Sequence, residues 1–255
     1  MALRIRTGHA CSTSSCECGA VEAAAAAEAP SDSRRSRRRF LGTTIAGVAA
    51  GLLGDVGFVE QASAQTKLSP DDALRQLMDG NRRFTAGRMT SFNDDLKMLK
   101  SKTVEKQEPF AAILSCADSR VPVEMVFDQS IGKLFVTRVA GNIVTSELIA
   151  SLEYGVAVLG TRAIVVLGHA GCGAVKAAID GKAVPGQISG LYRYIRPAVD
   201  QAGKDVEAAI KANARIQAAL LRSSSPVIAE AIEKKQLKVV AGYYELASGQ
   251  VTLLE

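Results

Sequence analysis

The most informative segment of the sequence reads Ala163-Ile164-Val165-Val166-Leu167-Gly168-His169-Ala170-Gly171-Cys172-Gly173. Its first half is a continuous apolar run rich in branched residues, which is typical of a strand buried on both faces of a sheet. Its second half is a glycine-rich loop that carries a histidine and a cysteine, and a helical pattern follows at Ala174–Ile179. The stretch therefore predicts a buried strand, a tight loop with reactive side chains, and a helix.

Similar apolar runs recur along the chain and alternate with helical patterns. The other runs are Phe110–Ser115, Leu134–Val139, Leu237–Gly242 and Val251–Leu254. Helical patterns lie from Pro70, after the capping Ser69, to about Phe84, at Glu147–Leu159 and at Val206–Leu221. The alternation predicts an α/β fold, with a mostly parallel central β-sheet flanked by helices. The last run follows Ser248-Gly249 as in a hairpin, so an antiparallel edge strand is expected near the C-terminus.

The first 64 residues have the features of a targeting segment rather than of a folded domain. Ser36-Arg37-Arg38-Arg39-Phe40-Leu41 resembles the twin-arginine signal of bacteria, an uncharged stretch continues to Gly54, and Ala62-Ser63-Ala64 fits a cleavage site. We expect residues 1–64 to direct export to the periplasm through the twin-arginine machinery, and residues 65–255 to form a single domain. A basic tail or an uncleaved membrane anchor is the alternative.

Composition excludes several classes of protein. Hydrophobic residues make up 47% of the chain and charged residues 22%, which are values of an ordinary globular protein. The net charge of +5 is mild. No basic stripe with interleaved aromatic residues is present, so nucleic acid is not predicted as a partner.

Cysteine and histidine are scarce, and their positions are informative. The chain has five Cys and two His, but residues 65–255 keep only Cys116, His169 and Cys172. Cys116 ends one predicted strand and His169 follows another, and the carboxyl ends of parallel strands meet at one edge of a sheet. Two thiolates and an imidazole are typical zinc ligands. Buried thiols beside a core histidine, or a Cys116–Cys172 disulfide, are the alternatives.

Two charged residues follow Cys116 closely. Asp118 is placed to act as a fourth ligand, whereas Arg120 is placed to hold Asp118 in a bidentate ion pair. In the second arrangement zinc keeps an open position for a water molecule, whose pKa the ion lowers. An ordinary ion pair in a turn is the alternative interpretation.

Cys116-x-Asp118-x-Arg120 together with His169-x-x-Cys172 resembles the β-class carbonic anhydrases. The resemblance covers residues 70–255. Its further landmarks, in chain order, are Leu77-Met78-x-Gly80-Asn81-x-Arg83-Phe84, Gln107-x-Pro109, Gly141-Asn142, Glu153-Tyr154 and Gly242-Tyr243-Tyr244.

The resemblance implies one zinc ion per chain on Cys116, His169 and Cys172. Asp118 then either closes onto zinc or pairs with Arg120 as part of the catalytic machinery. The implied reaction is the reversible hydration of carbon dioxide to bicarbonate and a proton.

The resemblance also implies a substrate pocket and an assembly. Gln107 matches the glutamine that hydrogen-bonds the substrate, and Phe135 and Tyr154 match apolar pocket positions. Because the counterpart of Gln107 reaches across a subunit interface in the family, a homodimer or larger homo-oligomer is implied.

This sequence departs from the family pattern at two positions. Val139 stands where the family has Asn, and Ala170 stands where it has Ser after the ligand histidine. Three alternative functions stay open from the sequence: hydrolysis of a sulfur analogue such as carbonyl sulfide, a non-catalytic zinc protein, and a nucleotide-binding domain. The last is disfavoured because the glycines run G-x-x-G-x-G rather than G-x-G-x-x-G.

Overall fold

A computed structural model describes residues 66–91, 101, 103–104 and 106–255. The expectations for residues 1–64, including the export signal, lie outside the described residues. Within the described part of the chain, no helix combines the length and the apolar character needed to cross a bilayer.

Seven α-helices and five β-strands make up the described fold. The helices are α1 Pro70–Thr85, α2 Val123–Val126, α3 Ser146–Ala157, α4 Gly173–Asp180, α5 Tyr192–Ala202, α6 Val206–Ser224 and α7 Pro226–Glu233. The strands are β1 Ala111–Ser115, β2 Leu134–Arg138, β3 Ala163–His169, β4 Lys238–Tyr244 and β5 Val251–Leu254.

The strands form one sheet in the order β2-β1-β3-β4-β5, parallel except for the antiparallel β4–β5 pair. The predicted fold class is therefore confirmed. Every residue of β1 and β3 is buried. Alternate side chains serve opposite faces: Ile113 and Val165 pack under α1 and α2, whereas Leu114 packs toward α3, α6 and α7. This two-sided burial explains why both strands are continuous apolar runs.

The first helix begins where the sequence predicts. The Ser69 hydroxyl accepts a hydrogen bond from the backbone N–H of Asp72, and Pro70 occupies the first helical position. Later in α1, the buried Asn81 side chain donates to the carbonyls of Val126 and Gly249 and accepts from the N–H of Val251. One amide thus ties α1 to α2 and to the β4–β5 hairpin.

The helices α2, α5 and α7 were not predicted. Helix α5 contains Pro197 and starts without a side-chain cap, directly after the 3₁₀ turn Ile188–Leu191, so its sequence lacks the usual start signals. Helix α7 is capped by Ser225, which directly follows the end of α6 and whose hydroxyl accepts a hydrogen bond from the N–H of Ile228. A single residue therefore separates α6 from α7, and the hydrophobic periodicity of the sequence does not reveal so short a break.

The register of the two central strands positions the site. Ser115 at the end of β1 lies beside Leu167 of β3. Cys116, the next residue, consequently leaves the sheet beside the end of β3, where His169 is the last residue of the strand.

Candidate metal centre

Three buried side chains converge at the carboxyl edge of the sheet. Cys116 follows β1, His169 ends β3, and Cys172 is the N-cap residue of α4. One ligand atom of each lies within 4.8 Å of the others. The side chains come from three separate elements, so the strand register and the short loop before α4 together assemble the group.

The loop between β3 and α4 depends on one glycine. Gly171 has a φ of 64°, in the left-handed region that residues with a side chain rarely adopt. This turn lets Cys172 face back toward His169 across two residues. The H-x-x-C spacing therefore delivers two donors from a single tight loop, as the sequence predicts.

The two cysteines are free thiols with their sulfurs 4.0 Å apart, so the disulfide alternative is not what the structure shows. The hydrogen bond from the Cys172 thiol lowers the pKa of Cys116, and the backbone N–H of Gly141, 3.3 Å from that sulfur, acts in the same direction. The same hydrogen bond, together with burial, raises the pKa of Cys172. The pair thus shares one proton in the absence of metal.

His169 is oriented as a ligand. Its Nδ1 lies 3.0 Å from the carbonyl oxygen of Ala170, which assigns the ring proton to Nδ1 and leaves the lone pair on Nε2. Nε2 is buried and has no hydrogen-bond partner. An unpaired buried nitrogen beside two sulfurs is costly unless an ion occupies the space between them. The donor set of two sulfurs and one nitrogen fits zinc, one ion per chain.

Asp118 is held by Arg120 in this structure. The guanidinium donates from Nε to Oδ1 at 3.0 Å and from Nη2 to Oδ2 at 2.7 Å, and the backbone N–H of Arg120 donates to Oδ1 at 2.9 Å. These hydrogen bonds hold the pKa of Asp118 well below its usual range. Oδ2 also lies 3.8 Å from Nε2 of His169. The carboxylate is therefore ionised, fixed and adjacent to the position expected for the metal.

Sequence reasoning missed the role of Arg138. This residue ends β2 opposite Ser115, and its guanidinium donates to the carbonyl of Cys116 at 3.0 Å and to that of Asp118 at 2.6 Å. Arg138 therefore clamps the main chain on both sides of the segment that carries the metal ligand and the carboxylate. The sequence feature that could have indicated this role is the position of a charged residue at the carboxyl end of a predicted strand.

The predicted pocket residues lie elsewhere in the same chain. The rings of Phe135 and Tyr154 pack at a centroid distance of 6.2 Å, and Tyr154 is 48% exposed. Gln107 is exposed and precedes the amino end of β1, whereas Cys116 follows its carboxyl end. The strand between them has five residues, which corresponds to roughly 16 Å at about 3.3 Å per residue. The structure therefore does not bring Gln107 to the metal ligands of its own chain.

The fold and the site define a zinc-binding α/β protein with an arginine-held carboxylate beside the metal position. The sequence pattern of the carbonic anhydrase family matches residues 111–251. Carbonic anhydrase 2 of Mycobacterium tuberculosis is 35% identical over 193 residues, which cover 72% of this chain and 93% of that protein. The chain belongs to the carbonic anhydrase family, and solved structures place it in the β class.

The β class follows from structural similarity. The Coccomyxa β-carbonic anhydrase, solved with acetazolamide, has a TM-score of 0.57 and 28% identity, and the alignment covers 71% of this chain and 86% of that one. A tetrameric β-carbonic anhydrase of Sordaria macrospora shares the fold, with a TM-score of 0.56 at 22% identity, over 72% of this chain and 97% of that one. These relatives do not favour the sulfur-substrate, non-catalytic or nucleotide-binding alternatives.

The shared proton of the cysteine pair predicts an unusual pH dependence of Cys116. Because its pKa is lowered, Cys116 in the metal-free protein forms the thiolate at a lower pH than an ordinary thiol, whose pKa is near 8.5. We expect the pH midpoint of its alkylation by iodoacetamide, followed by peptide mass spectrometry, to lie well below that of an ordinary thiol. Zinc should block the reaction.

Replacing Cys172 by Ala provides the control. Without the donating thiol, the pKa of Cys116 should rise and alkylation should become steeply pH-dependent. A wild-type rate that climbs with pH like that of free cysteine would contradict the shared proton.

Proposed function

We propose that this chain catalyses the reversible hydration of carbon dioxide to bicarbonate and a proton. The observation that carries the proposal is the buried Cys116–His169–Cys172 group with an ionised carboxylate fixed beside it. Zinc bound there supplies a Lewis acid that activates water at neutral pH. The family, whose relatives are named carbonic anhydrases, supports the same reaction.

Asp118 orients the reacting water. Its Oδ2 lies 3.8 Å from Nε2 of His169, so it would accept a hydrogen bond from a water molecule at the open position of zinc and orient that water toward the substrate carbon. Arg120 keeps the carboxylate ionised and prevents its rotation. Because His169 is the only histidine of residues 65–255 and serves as a ligand, the proton leaves through water to buffer.

Replacing Asp118 by Asn should lower the rate of carbon dioxide hydration by about 100-fold or more, since an amide can donate to the water in the wrong orientation. Zinc content, measured by atomic absorption, should be unchanged because the three ligands remain. Stopped-flow hydration with a pH indicator measures the rate. The exposed Asp200→Asn variant is the matched control and should retain full activity. An active Asp118→Asn enzyme would refute the role of the carboxylate.

The substrate pocket is completed by a second copy of the chain, so the protein works as a homo-oligomer. Gln107 lies at the opposite end of β1 from its own Cys116, and Tyr154 is about half exposed. Strand β2, which carries Phe135, has a neighbour on one side only among the described strands. The large apolar side chains of Met125 and Ile131, which precede β2 in the chain, also stay exposed. These features support an interface across which Gln107, Phe135 and Tyr154 reach the partner's metal site.

A complementation experiment tests this composite site. Gln107→Ala and Asp118→Asn should each be nearly inactive alone. When the two variants are co-expressed and purified through different tags, a mixed dimer contains one site with both changes and one site with neither. Its activity should therefore rise well above that of either parent. Activity that stays at the parental level would show that Gln107 and Asp118 act within one chain.

We further propose that residues 1–64 export the protein to the bacterial periplasm through the twin-arginine machinery. The order of a basic region with Arg37-Arg38, an uncharged stretch and a small-residue site supports this proposal. Export of a folded chain suits a protein whose metal ligands come from three separate elements.

Substitution of Arg37 and Arg38 by Lys tests the export route. The change keeps the charge but removes the arginine pair, so the protein should accumulate in the cytoplasm, as judged by fractionation and immunoblotting. In the matched control, Arg34 and Arg35, which lie before the signal motif, are replaced by Lys. This variant should still be exported. Periplasmic protein in both variants would refute the twin-arginine route.

A further inference from the structure

The loop of residues 139–144 supplies a hydrogen bond to a metal ligand, although it contains no regular secondary structure. The backbone N–H of Gly141 points at Sγ of Cys116 at 3.3 Å. To do so, the loop takes two consecutive left-handed residues, Gly141 with φ 79° and Asn142 with φ 42°. The left-handed conformation is unfavourable at Asn142, which has a side chain. Contacts from outside the loop are therefore needed to hold it in this conformation.

Two side-chain amides of α6 hold this loop from the far side. Nδ2 of Asn213 donates to the carbonyl of Gly141 at 2.9 Å, and Oε1 of Gln217 accepts from the N–H of Val144 at 2.8 Å. Nε2 of Gln217 donates to Oδ1 of Asn213 at 3.1 Å and to the carbonyl of Tyr194 at 3.0 Å. The two amides lie one helical turn apart and bind both ends of the short segment 141–144.

Both side chains are almost completely buried, Asn213 at 0% and Gln217 at 1% exposure. The other buried positions of α6 are apolar, mostly alanine. Burial of an amide is costly unless its groups are hydrogen-bonded, and here each amide oxygen and nitrogen has a partner. Packing of α6 alone would be served by two apolar residues. The amides are therefore explained by the loop that they bind.

We infer that Asn213 and Gln217 are positioning residues for the metal ligand Cys116. They fix the peptide that follows Gly141 and the peptide that precedes Val144, so that the turn is held and the N–H of Gly141 stays directed at the sulfur. That hydrogen bond withdraws charge from the thiolate and limits its movement, and both effects set how strongly the sulfur binds a metal ion. The inference rests on the zinc site of the proposed function, but not on the reaction itself.

Asn213→Leu in the full-length protein tests the inference, because leucine keeps the volume and removes the donor to Gly141. We expect the zinc dissociation constant, measured by competition with a chromophoric chelator, to rise about 10- to 100-fold. The thiolate-to-metal charge-transfer band of the cobalt(II)-substituted protein should also shift. Gln217→Met, which loses the bond to Val144, should change both readouts in the same direction.

Arg222→Met is the matched control. It removes a hydrogen bond of the same length, 2.9 Å, from the same helix to the carbonyl of Val239, away from the loop. It should lower the unfolding free energy of the metal-free protein and leave zinc affinity and the cobalt spectrum unchanged.

Equal zinc affinity and an unshifted cobalt band in the amide variants would overturn the inference, even if their stability falls. If Asn213→Leu does not fold, Gln217→Met decides. A wild-type protein that binds zinc but does not hydrate carbon dioxide would instead refute the proposed function and leave this test intact.

Discussion

The site depends on the register between β1 and β3. Because Ser115 pairs with Leu167, the chain leaves the sheet at Cys116 beside the strand that ends in His169. A slip by one residue would turn the side chains of a strand to the opposite face. It would also disturb a core whose two central strands are fully buried and apolar except for Ser115 and His169 at their carboxyl ends. The hydrophobic pattern that stabilises the sheet is thus the same constraint that brings two metal ligands together.

Charge balance explains how such a site is tolerated in the interior. A zinc ion carries two positive charges, and Cys116 and Cys172 as thiolates offset them. The ionised Asp118 is matched by Arg120, so the four protein groups and the ion have no net charge. Arg138 adds a cation whose hydrogen bonds go to main-chain carbonyls rather than to the sulfurs. Its charge therefore stabilises the ligand segment without competing for the thiolates.

The sequence was sufficient for the sheet and the three-ligand group, because apolar runs and residue chemistry are local features. It did not reveal the amides of α6 or the backbone contacts of Arg138, since these act on peptide groups that only the fold brings near. The two departures from the family pattern have the same explanation. Ala170 acts through its main chain, accepting from His169 and donating to the carbonyl of Tyr244. Val139 likewise donates its N–H to the carbonyl of Ser115, so neither role needs the family's side chain.

The distance between Gln107 and its own Cys116 has a thermodynamic consequence. In the proposed composite site, a substrate molecule bound by Gln107 of one subunit and by the metal of the other would bridge the interface. Any ligand that binds only the assembled form favours assembly by mass action. Substrate occupancy and subunit association are then linked, and specific activity becomes a function of protein concentration. Dilution would dissociate the subunits and so inactivate the enzyme, although each subunit would stay folded.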